Sequence, residues 1–309
     1  MGGLEEIPWS RLGGWEWSFI TLSVAMLVLG FIRLGRGDAS PSPSVEPGPS
    51  AALPPSLMAP LSTLLFLGVF GILTQQLPFL VALSGNLLGA LGLPEGVTIG
   101  GMLHPRMILA GFLGQLLTVV ILLGLARAEP ALVRIHPDGS DAEPLGVNLP
   151  SALRVIGLLS AGFALMWIAS LFWLAFASFA EAQGMAVPRD NQMMVNLILD
   201  HAGPGWPLAV LGLFVIVGAP LVEEVGFRGM IYPAWRERMP RGWAVAFTGG
   251  LFAIIHGNLA TLLPIGILGA WLCLVRDRFG LWPCVVIHMG VNAWTFCWLL
   301  RAPEVARHL

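Results

Sequence analysis

The stretch Leu221-Val222-Glu223-Glu224-Val225-Gly226-Phe227-Arg228 sets two adjacent carboxylates and a guanidinium at the end of a long apolar run. An ionisable side chain at membrane depth costs roughly 2.5 to 3.5 kcal/mol on insertion scales, so it persists where it has a partner or a function. A helix that begins near Trp206 and continues through this stretch puts Glu224 and Arg228 four residues apart on one face, where they can pair. Glu223 then points about 100° away, with no local partner. The stretch reads as the polar centre of a helical membrane protein.

The rest of the chain supplies the bilayer context. Of 309 residues, 56% are hydrophobic and 11% charged, the mean hydropathy is +0.79, and apolar runs of about twenty alternate with short polar segments. This composition predicts an all-α, polytopic helical bundle. A net charge of -2 with no basic cluster argues against nucleic acid as a partner. All sixteen basic residues are arginine. Cys273, Cys284 and Cys297 lie in apolar segments without ligand spacing and read as core packing.

About eight transmembrane helices are expected, over residues 15–32, 61–83, 107–125, 153–176, 206–232, 243–256, 261–275 and 282–300. The first lacks the basic stretch that precedes a cleavable signal, and Arg33 and Arg36 follow it instead, so it reads as retained with the N-terminus outside. That orientation places ten arginines inside, among them Arg236, Arg238 and Arg278, and five outside. Trp206, Trp243 and Trp282 stand at segment starts, as interfacial aromatics do. The domain reading is a first helix at 1–36, a Pro/Ser-rich flexible linker at 37–58, accessory helices with their loops at 59–204, a four-helix core at 205–300 and a tail at 301–309. Residues 133–140 alternate and then break at a turn signature, which suggests a small cytoplasmic hairpin. Residues 193–200 have the spacing of an amphipathic helix on the outer surface. Glu95 and His104 fall in a Gly-rich stretch with no evident site.

Three more polar residues occur in apolar surroundings: His256 in Phe252-Ala253-Ile254-Ile255-His256, and His288 with Asn292 in His288-Met289-Gly290-Val291-Asn292. His288 and Asn292 share a helical face. Each alone is explained as an interhelical hydrogen bond. Together with two carboxylates they suggest a pocket where a carboxylate and an imidazole take a proton from water while another imidazole and an amide donate to a developing oxyanion.

Glu223-Glu224-x-x-x-Arg228, then Phe252-x-x-x-His256, then His288-x-x-x-Asn292, in this order, resembles the CPBP family of intramembrane proteases, also called the Abi or type II CAAX prenyl endopeptidase family. The resemblance covers roughly residues 205–300. It implies that Glu223 and His256 activate water, that His288 and Asn292 stabilise the oxyanion, and that Glu224, Arg228 and Phe252 support them. It also implies a glutamate-dependent peptidase with no cofactor. Zinc held by Glu223, His256 and His288 is the less favoured alternative, and no His-Glu-x-x-His supplies two imidazoles from one turn. Gly226 and Gly229 lack side-chain bulk and would let a neighbour approach; Trp235, Trp271 and Trp294 read as packing aromatics.

One feature fits poorly with upright helices. At about 1.5 Å per residue, His256 lies roughly 20 Å beyond Trp243 and His288 only roughly 9 Å beyond Trp282. Either residues 229–242 dip into the membrane or segment six is tilted, for which Gly249-Gly250 would allow a bend or a close crossing. The expected function is an intramembrane endopeptidase acting on a membrane-associated protein or peptide, in a multi-pass protein of a bacterial inner membrane. The alternative is a non-catalytic scaffold or immunity protein, or a proton-coupled transporter using the same pocket. A transporter predicts repeated halves, and the buried charges here fall in one half only.

Overall fold

The structure, a computed structural model, describes residues 55–70, 105–128, 133–134, 143, 145–146, 148–185, 187, 195, 198–199 and 206–303. Among these there is no strand. The helices are α1 (Pro55–Phe70), α2 (Pro105–Ala128), α3 (Leu149–Ala182), α4 running from Trp206 to Arg236, α5 (Arg241–Ile254), α6 (Leu259–Phe279) and α7 (Leu281–Arg301). Two stretches of α4 widen to π-helix, Phe214–Gly218 and Phe227–Ile231.

The helix ends follow from local chemistry. Asn148 and Asn258 cap α3 and α6, each side chain accepting from the backbone N–H three residues on, Ser151 and Thr261. Gly257 (φ 63°) and Gly280 (φ 86°) take left-handed conformations that a side chain would resist, and so make the tight turns into α6 and α7.

Among the described residues four helices, Leu149–Ala182, Leu208–Arg236, Leu259–Phe279 and Leu281–Arg301, are long and apolar enough to cross a membrane. Helix α5 has 14 residues, about 21 Å against a hydrocarbon core of about 30 Å, too short to cross upright. Segment six of the sequence reading, 243–256, is matched by a helix of the same length that starts and ends two residues earlier. Segment one, the Pro/Ser-rich linker up to residue 54 and residues 71–104 with Glu95 and His104 lie outside the described residues, as does the side on which the chain begins. On α3, Ile168, Phe172, Phe176 and Phe179 are exposed, an apolar stripe that suits lipid contact. The protein is an integral membrane protein.

Helix α4 is the centre of the bundle and packs against α1, α2, α5, α6 and α7. Its inner half forms one core, in which Val222, Val225, Phe227, Met230 and Ile231 meet Phe66, Leu122, Phe252, Leu281 and Val285. The bare Cα of Gly226 makes room for the Phe66 ring, which a Cβ there would meet at 2.0 Å. Gly229 is approached by Val133 and Leu281. A second core joins α3, α6 and α7 through Phe163, Trp271, Leu272, Cys284 and Ile287.

Trp271 donates to Leu158 O at 3.2 Å, Trp235 packs on Phe247 and donates to Thr63 Oγ1 at 3.0 Å, and Trp294 stands edge-on to Phe163, so all three tryptophans pack within the bundle. Cys273 and Cys284 are buried, but Cys297 is exposed on α7, which corrects its reading as core. From the 193–200 stretch, Val195, Ile198 and Leu199 are helical, and Ile198 and Leu199 are buried against Leu211, Phe296 and Leu299. This part covers one end of the bundle. Of the expected hairpin only Val133 and Arg134 are described; neither is in a strand, and Arg134 N–H donates to Gly229 O at 2.6 Å.

Candidate active site

The two carboxylates of α4 differ in their partners. Glu224, fully buried, accepts at Oε1 from Arg228 Nη1 at 2.9 Å and from His288 Nδ1 at 2.8 Å. The i, i+4 pair has the geometry that 3.6 residues per turn impose. Arg228, also fully buried, spends Nη2 on Gly269 O at 2.9 Å and lies over the Phe252 ring, 4.5 Å from its centroid. Glu224 is thereby committed to structure. Glu223, 8% exposed, faces His288, whose Nε2 lies 3.9 Å from its Oε2. That gap is too long for a direct hydrogen bond.

His256 sits in the turn beyond α5, where its Nδ1 is 2.6 Å from Phe252 O. A carbonyl only accepts, so Nδ1 carries the proton and a neutral His256 keeps its lone pair on Nε2. The Phe252 ring makes T-shaped contacts with His256, centroids 4.8 Å apart, and with His288, 5.7 Å apart. The two imidazoles meet through this ring.

The depth offset is resolved without a dip of residues 229–242, because α4 continues as helix to Arg236. Arg241 at the start of α5 is level with Tyr232 and Asp277: Tyr232 Oη and Arg241 Nε both donate to Asp277 Oδ2 at 2.8 Å. Leu281, which begins α7, lies against Gly229, about one turn further in. Helix α7 thus starts deeper than α5, and Phe252 fills what remains of the gap.

Asn292, one turn along α7 from His288, donates from Nδ2 to Val215 O at 2.8 Å, in the first π stretch of α4. The structure therefore brings Glu223, Glu224, Arg228, Phe252, His256 and His288 into one contact chain and places Asn292 one turn of α7 beyond His288, beside Val215, about two turns of α4 before Glu223. Two further features escaped the sequence reading. Arg276, 1% exposed, donates from Nε to Arg228 O at 3.1 Å, and the Tyr232–Asp277–Arg241 cluster ties α4, α5 and α6 together. The available signal for Arg276 is an arginine directly at the end of the apolar run 261–275.

Among the described residues no three of His, Cys, Asp and Glu group closely enough to hold a metal ion. Glu223, His256 and His288 do not converge as ligands, with Phe252 between the imidazoles.

No curated protein and no solved structure matches the chain. Residues 204–294 match the family model described as type II CAAX prenyl endopeptidase Rce1-like. The matched residues run from the start of α4 into α7 and include every residue of the contact chain and Asn292. Residues 204–294 are thus similar to the Rce1-like peptidase family, in keeping with the CPBP resemblance of the motifs.

Proposed function

We propose that this protein is an intramembrane endopeptidase that hydrolyses a peptide bond of a membrane-associated protein or peptide by a glutamate-dependent, metal-free route. The observation that carries the reading is the unequal partnering of the two acids: Glu224 is locked by Arg228 and His288, whereas Glu223 faces His288 across 3.9 Å. A water beside both Glu223 and His288 can bond to each.

In the proposed reaction Glu223, assisted by His256 Nε2, takes a proton from water as the oxygen attacks the scissile carbonyl. The oxyanion then accepts from the second N–H of Asn292 and from His288 Nε2–H, while Glu224 steadies the ring through Nδ1. The proton passes to the departing amine, the C–N bond breaks, and a carboxylate and an amine result. The family description points to prenylated CAAX proteins as one substrate class; unprenylated membrane-anchored peptides are the other. A bacterial inner membrane remains the proposed location, on the strength of the arginine-only composition.

The test is cleavage by purified protein in liposomes of both peptide classes, with products read by mass spectrometry. The expected result is cleavage that resists a zinc chelator and falls at least about a hundredfold in Glu223→Ala and in His256→Ala. Chelator sensitivity reversed by zinc would refute the metal-free route. Full activity in both variants would refute the site.

A further inference from the structure

The two π stretches of α4 are built alike. In the first, Ala219 N–H bonds Phe214 O, in the π register. The next residue, Pro220, has no N–H, so Val215 O is offered no backbone donor at that step. Asn292 Nδ2 fills the place. In the second, Tyr232 N–H bonds Phe227 O, Pro233 follows, and Arg228 O takes Arg276 Nε instead. Both prolines are buried. Twice, a proline six residues after a phenylalanine widens the helix and frees one carbonyl, and twice a side chain of a neighbouring helix takes it.

We propose that Pro220 is a positioning residue for Asn292. By withholding a donor it leaves the Val215 carbonyl to hold one N–H of the Asn292 amide, which fixes the amide plane and leaves the other N–H for the oxyanion. This rests on the assignment of Asn292 to the oxyanion. An amide free to rotate would have to be ordered during reaction, whereas one held in advance contributes fully to the transition state. Pro233 does the same for Arg276, on the far side of the Glu223–Glu224 pair.

The test uses full-length protein with ¹⁵N-asparagine and carbonyl-¹³C-valine, in which solid-state NMR reads the dipolar contact between Asn292 Nδ2 and the Val215 carbonyl; the asparagine signal is assigned by its loss in Asn292→Ala. The contact is expected in the wild type, lost in Pro220→Ala, which restores a backbone N–H, and kept in Pro233→Ala. It is also expected to survive with lactic acid at position 220, whose ester oxygen has no hydrogen. Should the alanine chain fail to fold, the lactic acid chain still decides, since loss of contact there would overturn the proposal. So would persistence of the contact in Pro220→Ala, or its loss in Pro233→Ala. In cleavage assays Pro220→Ala is expected to lower kcat about 10- to 100-fold with little change in KM, and to add nothing in an Asn292→Ala background. Independent, multiplying losses would overturn the positioning role alone, whereas an Asn292→Ala enzyme of wild-type activity would overturn the oxyanion assignment and this inference with it.

Discussion

Arg228 and Glu224 have no exposed side-chain surface, so each depends on the other for charge compensation. Removing one partner of a buried pair leaves an uncompensated charge and costs about 3 to 5 kcal/mol. Arg228→Ala is therefore expected to lower stability in detergent by about that amount, read by thermal or denaturant unfolding. The double variant Glu224→Gln/Arg228→Gln should lose less than Arg228→Ala, since it leaves no lone charge. A double variant as unstable as the sum of both single losses would show that the pair is not coupled. This pairing was legible in sequence because 3.6 residues per turn fix what lies four residues away. The bond from His288 to Glu224 was not, for it joins residues 64 apart, and local periodicity carries no information on how helices cross. Cys297 was misread for a related reason: an apolar neighbourhood does not distinguish a core face from a lipid face.

At the scale of elements, the α5–α6 crossing depends on Gly249. A Cβ there would meet Gly266 O at 2.7 Å and Ala270 N at 2.9 Å, backbone atoms that cannot rotate away, whereas at Gly250 nothing lies within 4 Å. Gly249→Ala is expected to destabilise by about 1 to 3 kcal/mol. Gly250→Ala should be neutral or stabilising by up to about 1 kcal/mol, from helix propensity. Unfolding midpoints of the two variants check this, and equal effects would contradict the close crossing. The dipeptide Gly249-Gly250 signalled a bend or a crossing in the sequence; which glycine makes the contact depends on the rotation of α5, which only packing sets. The end of α5 came out two residues short of the sequence reading because Gly257 turns the chain. The π stretches had a visible cause in Pro220 and Pro233 but no periodic signature, since one extra residue per turn over five residues barely shifts an apolar pattern.

For the whole molecule, α4 to α7 form one bundle whose ends are defined by contacts. Tyr232, Arg241 and Asp277 mark one end, and Leu211, Phe296 and Leu299 the other. The arginine bias predicts that the first end faces the cytoplasm. Cysteines placed at Arg238 and Arg278, in a background without the native cysteines, should be labelled by a membrane-impermeant reagent from the cytoplasmic side only, and one at Ala302 from the outside only. The reverse pattern would invert the topology. Helical class and the buried polar residues around α4 were legible because apolar runs and polar groups within them are local features of a membrane chain. Among the described residues four helices are long enough to span, and segment six, at 14 residues in sequence and structure alike, is too short to cross upright. Glu223 is proposed to remove the proton from the attacking water, and single-turnover cleavage of one membrane-anchored peptide by Glu223→Gln, which preserves shape while removing the base, tests that role. The expected rate is at least about a thousandfold below wild type with peptide binding unchanged; cleavage at the wild-type rate would rule out Glu223 as the base.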